Sequence, residues 1–279
     1  LAADVTFANG ADIITATAGT SNFRAGVNAG DALASGGVQN VVVGDEAGTA
    51  MTTGSQNSAF GYKALAATTG ADDNSAFGWE ALKTNTSGSL NAAFGRSALT
   101  LNAGGSSNSA FGYAALSSNS SGTFNTAMGR QAGLNVTTGA NNTLVGGLAG
   151  DAITTGGSNV ALGTEALSAN TTASDNTAVG YQAGYSNTTG ANNEAFGKTA
   201  LRTNTTGTQN NAMGSGALYA NTTGSQNVAI GGGALDANTT ASNNTAVGYL
   251  SLSANTTGPD NVAVGKEALL DNTTGLENT

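Results

Sequence analysis

Fourteen glycines, running from Gly44 and Gly61 to Gly248 and Gly265, stand 17 residues apart without a single insertion. A strict period constrains a fold more than composition does, because each unit must then meet the next in the same way. Four residues before every anchor glycine is an Asn, from Asn40 to Asn261. The residue just before the anchor is always large and apolar, and the one before that is Ala in twelve of the fourteen units. Three residues after the anchor Ala stands in thirteen units, followed by Leu in ten and Gly in four. Fixed columns therefore alternate with free ones, and the fixed ones are those that neighbouring units must share.

Seventeen residues are too few for a helix–turn–helix unit, and the Gly, Thr and Asn content disfavours helix. The expected fold is all-β: a β-solenoid or β-roll of 17-residue coils, fourteen regular and one degenerate. Each coil should hold a strand around "NSAFG", a corner at the glycine, a second short strand through "YKAL" and an "NTTG" turn. Asn57, Asn74, Asn91 and Asn108 should form a ladder of side-chain amides. Gly61, Gly78, Gly95 and Gly112 should supply positive φ or close backbone approach at the corner. Phe60, Phe77, Phe94 and Phe111 fall on four consecutive coils and are expected to stack inside, each burial worth ~1.5–3 kcal/mol. Successive strand residues point to opposite faces, so the Ala row then reads as a second buried face, in contact with other subunits of a parallel homotrimer. The alternative is that Ala packs against the opposite side of its own thin coil.

The array organises the chain. Residues 1–21 read as a strand-rich cap or connector, and 22–39 as a worn repeat, since Asn22 precedes Asn40 by 18 residues rather than 17. The regular array covers 40–277, and Asn278 at 278–279 begins a further repeat that is cut short. The start at Leu1 rather than Met reads as a processed or partial product.

Composition narrows the chemistry. There is no Cys and no His, which removes disulfides, thiolates, the commonest general base and the commonest transition-metal ligand. With net charge −9 and only eight Lys plus Arg, nucleic-acid binding is not expected. The longest apolar runs are as short as Val41-Val42-Val43, so no membrane insertion is expected. Asp72-Asp73, Asp175 and Asp260 fall at turns and lack the dense oxygen spacing of a calcium loop. The segment "NNEAFGKT" has Asn192 where a phosphate loop requires its first Gly. Sequons such as Asn170-Thr171-Thr172 and Asn221-Thr222-Thr223 arise from the turn wording. No catalytic set, cofactor site or metal site is expected, and the chain does not read as an enzyme.

The variable positions lie one, two and five residues after each anchor. They carry all the cations but Arg24, together with Tyr62, Trp79, Tyr113, Tyr181 and Tyr249. Tyr62, Trp79, Arg96 and Tyr113 should share one outward stripe, either a glycan-contacting surface or an exposed row held together by an Arg–aromatic contact.

The N-x-A-[large apolar]-G-x-x-A phrase resembles the head repeats of YadA-type trimeric autotransporter adhesins. The wording "NTAVGYQAGYSNTTG" and the opening "DVTFANGADIITATAGTSNFRAGVNAG" are more similar to repeat segments of tail fibres of marine bacteriophages. That resemblance covers nearly the whole chain and implies β-rolls packed as trimers in a virion appendage or at an extracellular cell surface. The function it implies is a structural fibre segment that positions a receptor-binding tip for host attachment, with a host glycan or receptor met by other parts of the fibre. A bacterial adhesin head gripping its target through the variable stripe is the alternative. An ice-binding solenoid is disfavoured, because adjacent threonines such as Thr222-Thr223 would point to opposite sides of an extended segment.

Overall fold

The structure, a computed structural model, describes residues 13–14, 21–33 and 36–279. It comprises two compact units, Leu1–Thr138 and Gly139–Thr279. Most of the 1–21 segment lies outside the described residues. Within it, strand β1 (Ile13–Ile14) pairs antiparallel with β2 (Phe23–Ala25).

Both units are parallel β-solenoids of 17-residue coils. In the first, β2 is followed by β3 to β8 at Val41–Val43, Ser58–Phe60, Ser75–Phe77, Ala92–Phe94, Ser109–Phe111 and Thr126–Met128. In the second, β9 to β16 are Thr143–Val145, Val160–Leu162, Thr177–Val179, Glu194–Phe196, Asn211–Met213, Val228–Ile230, Thr245–Val247 and Val262–Val264. Each strand pairs with the one a repeat away in strict register, so that Ala76 lies beside Ala93 and Phe77 beside Phe94. Like residue over like residue is the direct consequence of a constant period. The degenerate repeat keeps this pairing despite its extra residue, with Phe23 beside Val41. At its inward position stands Arg24, held by Ala29 and Asp31.

Only three residues of each coil are strand. The expected second strand through "YKAL" is not one: Tyr62–Leu65 are turns, with Lys63 at φ 56° and Leu65 at φ 52°. The reason is the interior. Ala64 and Leu65 are adjacent, and both are fully buried, which a strand with its alternating faces cannot achieve. Left-handed backbone at the second and fourth positions after the anchor turns both side chains inward. It still leaves their amides for neighbouring coils, with Lys63 N–H donating to Asp45 at 3.0 Å and Leu65 N–H to Ala81 at 3.1 Å.

The strand faces are the reverse of those expected. Ala59, Ala76, Ala93 and Ala110 are fully buried inside their own coils, whereas Phe94 and Phe111 are each 36 % exposed. The interior of so short a coil must also admit the Ala-Leu pair and two amide ladders. Only a methyl group fits opposite them, so the Phe row lies outside. The two exceptions to Ala fit the volume constraint. Where Val42 and Leu144 take its place, Leu is replaced by Gly48 and Gly150. A Cβ on Gly150 would lie 2.8 Å from both Leu144 and Ile153.

The anchor glycines mark where successive backbones come closest. Gly61 has φ +127°, and a Cβ there would sit 2.5 Å from the carbonyl oxygen of Gly78. No other residue tolerates both conditions.

Candidate functional site

Two columns of buried amides run through the coils. In the first, Asn57 donates from its backbone N–H and its Nδ2 to Asn40 Oδ1, at 2.9 and 3.2 Å. Its Nδ2 also reaches the Ala71 carbonyl, 14 residues on, at 2.9 Å, which closes the coil. Asn74, Asn91 and Asn108 repeat the bond to the preceding rung. These side chains are essentially inaccessible to solvent, so each amide is structural.

The second column was hidden in the "NTTG" wording, which reads as an ordinary surface turn. Asn85, Asn102 and Asn119 are fully buried, and Asn102 Nδ2 donates to Asn85 Oδ1 at 2.9 Å and to the Gly105 carbonyl at 2.8 Å. The same Gly105 carbonyl accepts from Asn91 of the first column at 2.9 Å. Both lone pairs of one carbonyl are thus used, and the two ladders are tied together in every such coil. The signal that could have revealed this was the recurrence of Asn seven residues after the anchor. The sequon residues Asn170 and Asn221 belong to this column and are wholly buried, which removes them as glycan acceptors.

The second ladder is interrupted by apolar rungs. In the first unit Val136 follows Asn119, and in the second Ile153 precedes Asn170. Among the described residues, Asn119 Oδ1 and Asn170 Oδ1 are the buried side-chain polar atoms left without a partner. Val136 has no side-chain N–H to offer Asn119, and its backbone N–H is given to the Gly133 carbonyl at 3.1 Å, while Asn187 gives its Nδ2 to the Gly190 carbonyl.

The outer surface carries the variable residues. Phe60, Phe77, Phe94 and Phe111 form a stack with centroids 4.7, 4.8 and 5.0 Å apart and planes within 10° of parallel. Elsewhere the same row is filled by Met128, Leu162, Met213, Ile230 and Val264, all exposed by more than a third. Two residues further along the chain a second file runs over the same four coils. Tyr62 stacks on Trp79 at 6.1 Å, and the Arg96 guanidinium lies 4.8 Å from the Trp79 ring and 6.0 Å from that of Tyr113. Lys63 covers Tyr62 at 5.0 Å. Hydrogen bonding with Tyr62, opposed by desolvation and aided by the Glu46 carboxylate, holds its ammonium above the ordinary range. The faces of Tyr62 and Trp79 are therefore occupied by one another and by cations, and what this file offers outward is ring edges and the guanidinium.

The threonine pairs differ from expectation. Thr222 is half-buried and Thr223 exposed, both on the outside of the coil between the buried Asn221 and Gly224, because the segment bends rather than extends. Thr222 Oγ1 is nevertheless spent on the Thr239 carbonyl at 2.9 Å. One hydroxyl of the pair is thereby withdrawn from water, which leaves the ice-binding reading without a doubled hydroxyl rank.

No protein-family model matches the chain, and no curated protein and no solved structure matches it. The geometry defines the class: a parallel β-solenoid repeat protein, braced internally by two asparagine ladders and lined externally by an apolar file.

Proposed function

We propose that the chain is a structural shaft or head segment of a phage tail fibre or a similar extracellular appendage, assembled as a parallel homotrimer that holds a receptor-binding tip for host attachment. The observation that carries this reading is the apolar row on the outer side of the strands. It is unbroken in each unit and contains no charged residue in any of the fourteen regular coils. Contiguous exposed apolar surface of this extent marks an interaction site. A row that repeats in step with the coils is matched by another copy of itself, and closed rotational symmetry lets three copies bury it together. The resemblance to adhesin heads supports a trimer, although the row that would be covered is the Phe row and not the Ala row.

Light scattering on the purified chain tests the assembly. A monodisperse species at three times the 26.9 kDa subunit mass is expected, and a species at the subunit mass rejects it. The exposed Tyr62, Trp79 and Tyr113 favour a second reading, an adhesin head that contacts its target through the stripe.

A further inference from the structure

Charge is not spread evenly along this acidic chain. Between Glu80 and Asp151 there is no acidic residue, yet Lys83, Arg96 and Arg130 all fall there. Lys83 is paired with Glu80 at 2.8 Å. Arg96 and Arg130 are exposed, and among the described residues neither has an acid within ion-pair distance, whereas Arg24, Lys63 and Lys266 do. Arg130 donates to the neutral amide oxygen of Gln131, at 2.9 Å.

Both arginines directly follow an anchor glycine, two coils apart, with Tyr113 on the coil between them. At one strand spacing per coil they stand about 9.6 Å apart on one file. Arg96 is clamped between the rings of Trp79 and Tyr113, and these are 42 % and 48 % exposed. A guanidinium held between two rings still has N–H groups to present to solvent, and its fork takes a carboxylate through two parallel hydrogen bonds. The outward ring edges are the positive part of the aromatic quadrupole, so they favour an anion as well.

We propose that this stripe binds the carboxylates of an acidic polysaccharide lying along the coils. The regular placement of the two cations on one file favours a polymer with a charge on each sugar over an irregular acidic protein surface. The inference deepens the appendage reading by assigning a ligand class to the stripe, and it rests on that reading for its biological setting.

The test is a titration of the purified chain with oligogalacturonate, with a neutral dextran oligosaccharide and with polyglutamate. Oligogalacturonate is expected to bind and to weaken as salt is added, and dextran is not expected to bind. Arg96→Gln and Arg130→Gln should each lower the affinity about tenfold or more. Arg96→Lys, which keeps the charge but loses the fork, should fall between. No binding of oligogalacturonate overturns the proposal, as does binding unaffected by Arg96→Gln or equally tight binding of polyglutamate. Melting curves of the variants, matching the parent, show that the fold is intact. Scattering on the same samples separates the two readings: a folded species at the subunit mass that binds oligogalacturonate removes the trimer and keeps the site.

Discussion

Asn102 meets three demands at once. It donates to Asn85 and to the Gly105 carbonyl, and it accepts from Asn119 Nδ2 at 2.7 Å, all without contact with water. An asparagine suits such a position because it carries donors and an acceptor but no charge. Asn102→Asp should cost roughly 3 kcal/mol or more at neutral pH, since an ionised carboxylate would face two acceptors in the interior. Burial raises the folded-state pKa of that new acid above the unfolded value of about 3.9. The penalty should therefore be smallest below that value and grow as pH rises through the interval up to the folded pKa. Asn102→Leu, which carries no titrating group, should lose stability equally at acid and neutral pH. Urea denaturation of both variants at the two pH values checks the sign, and a penalty for Asn102→Asp that is the same at both would contradict it. The invariant asparagine before each strand can be read as a ladder from its recurrence alone. The second ladder is harder to read, because its recurrence is interrupted at Met51, Thr68, Val136 and Ile153 and a buried Asn and a turn Asn share the same local wording.

Within each strand, neighbouring residues have opposite fates. Ala93 is fully buried and Phe94 is 36 % exposed, so the same substitution at the two sites should give opposite results. Ala93→Asp places an unpaired charge against the Leu and Asn columns and should unfold the coil, at a cost above about 4 kcal/mol. Phe94→Asp removes stacking on Phe77 and Phe111 but leaves the interior intact, so an isolated chain should lose roughly 1–3 kcal/mol. On the proposed trimer, its larger effect should appear in light scattering, as loss of the multimer. Circular dichroism melts on the two variants decide the matter. A folded Ala93→Asp beside an unfolded Phe94→Asp would mean that the strand faces are the other way round. The turn segments are equally specific. Lys63 and Leu65 hold left-handed backbone so that Ala64 and Leu65 can enter the core side by side.

At the scale of the molecule, stability comes from contacts between adjacent coils and is close to a sum over neighbours. Any whole coil is then dispensable if the register survives its removal. Excision of residues 193–209 from the second unit joins the end of one repeat to Asn210 at the start of another. The product should melt within about 5 °C of the parent. Excising 16 residues instead leaves one coil a residue short, so its strand and its turn columns cannot both keep register with the coils on either side, and the product should melt well below the 17-residue deletion. Thermal melts of the two deletions make the comparison, and equal melting temperatures would refute the one-dimensional account. The apolar file is the molecular-scale counterpart of the same regularity. A surface that repeats with the coil is best matched by something with the same period, which is the ground for the proposed trimer.

The sequence by itself determined the period, and the period determined the architecture. A constant 17-residue step without insertions places equivalent side chains over one another, and an uncapped polar column survives inside only if its amides bond along the stack. Only the tertiary structure decided which strand face looks inward, whether "YKAL" extends or turns, and that the turn asparagines are buried. The physical reason is that alternation along a strand defines two faces but gives neither a direction. The direction is settled by the volume left inside the coil, where the Ala-Leu pair and two amide ladders leave room for a methyl group opposite and none for a phenyl ring.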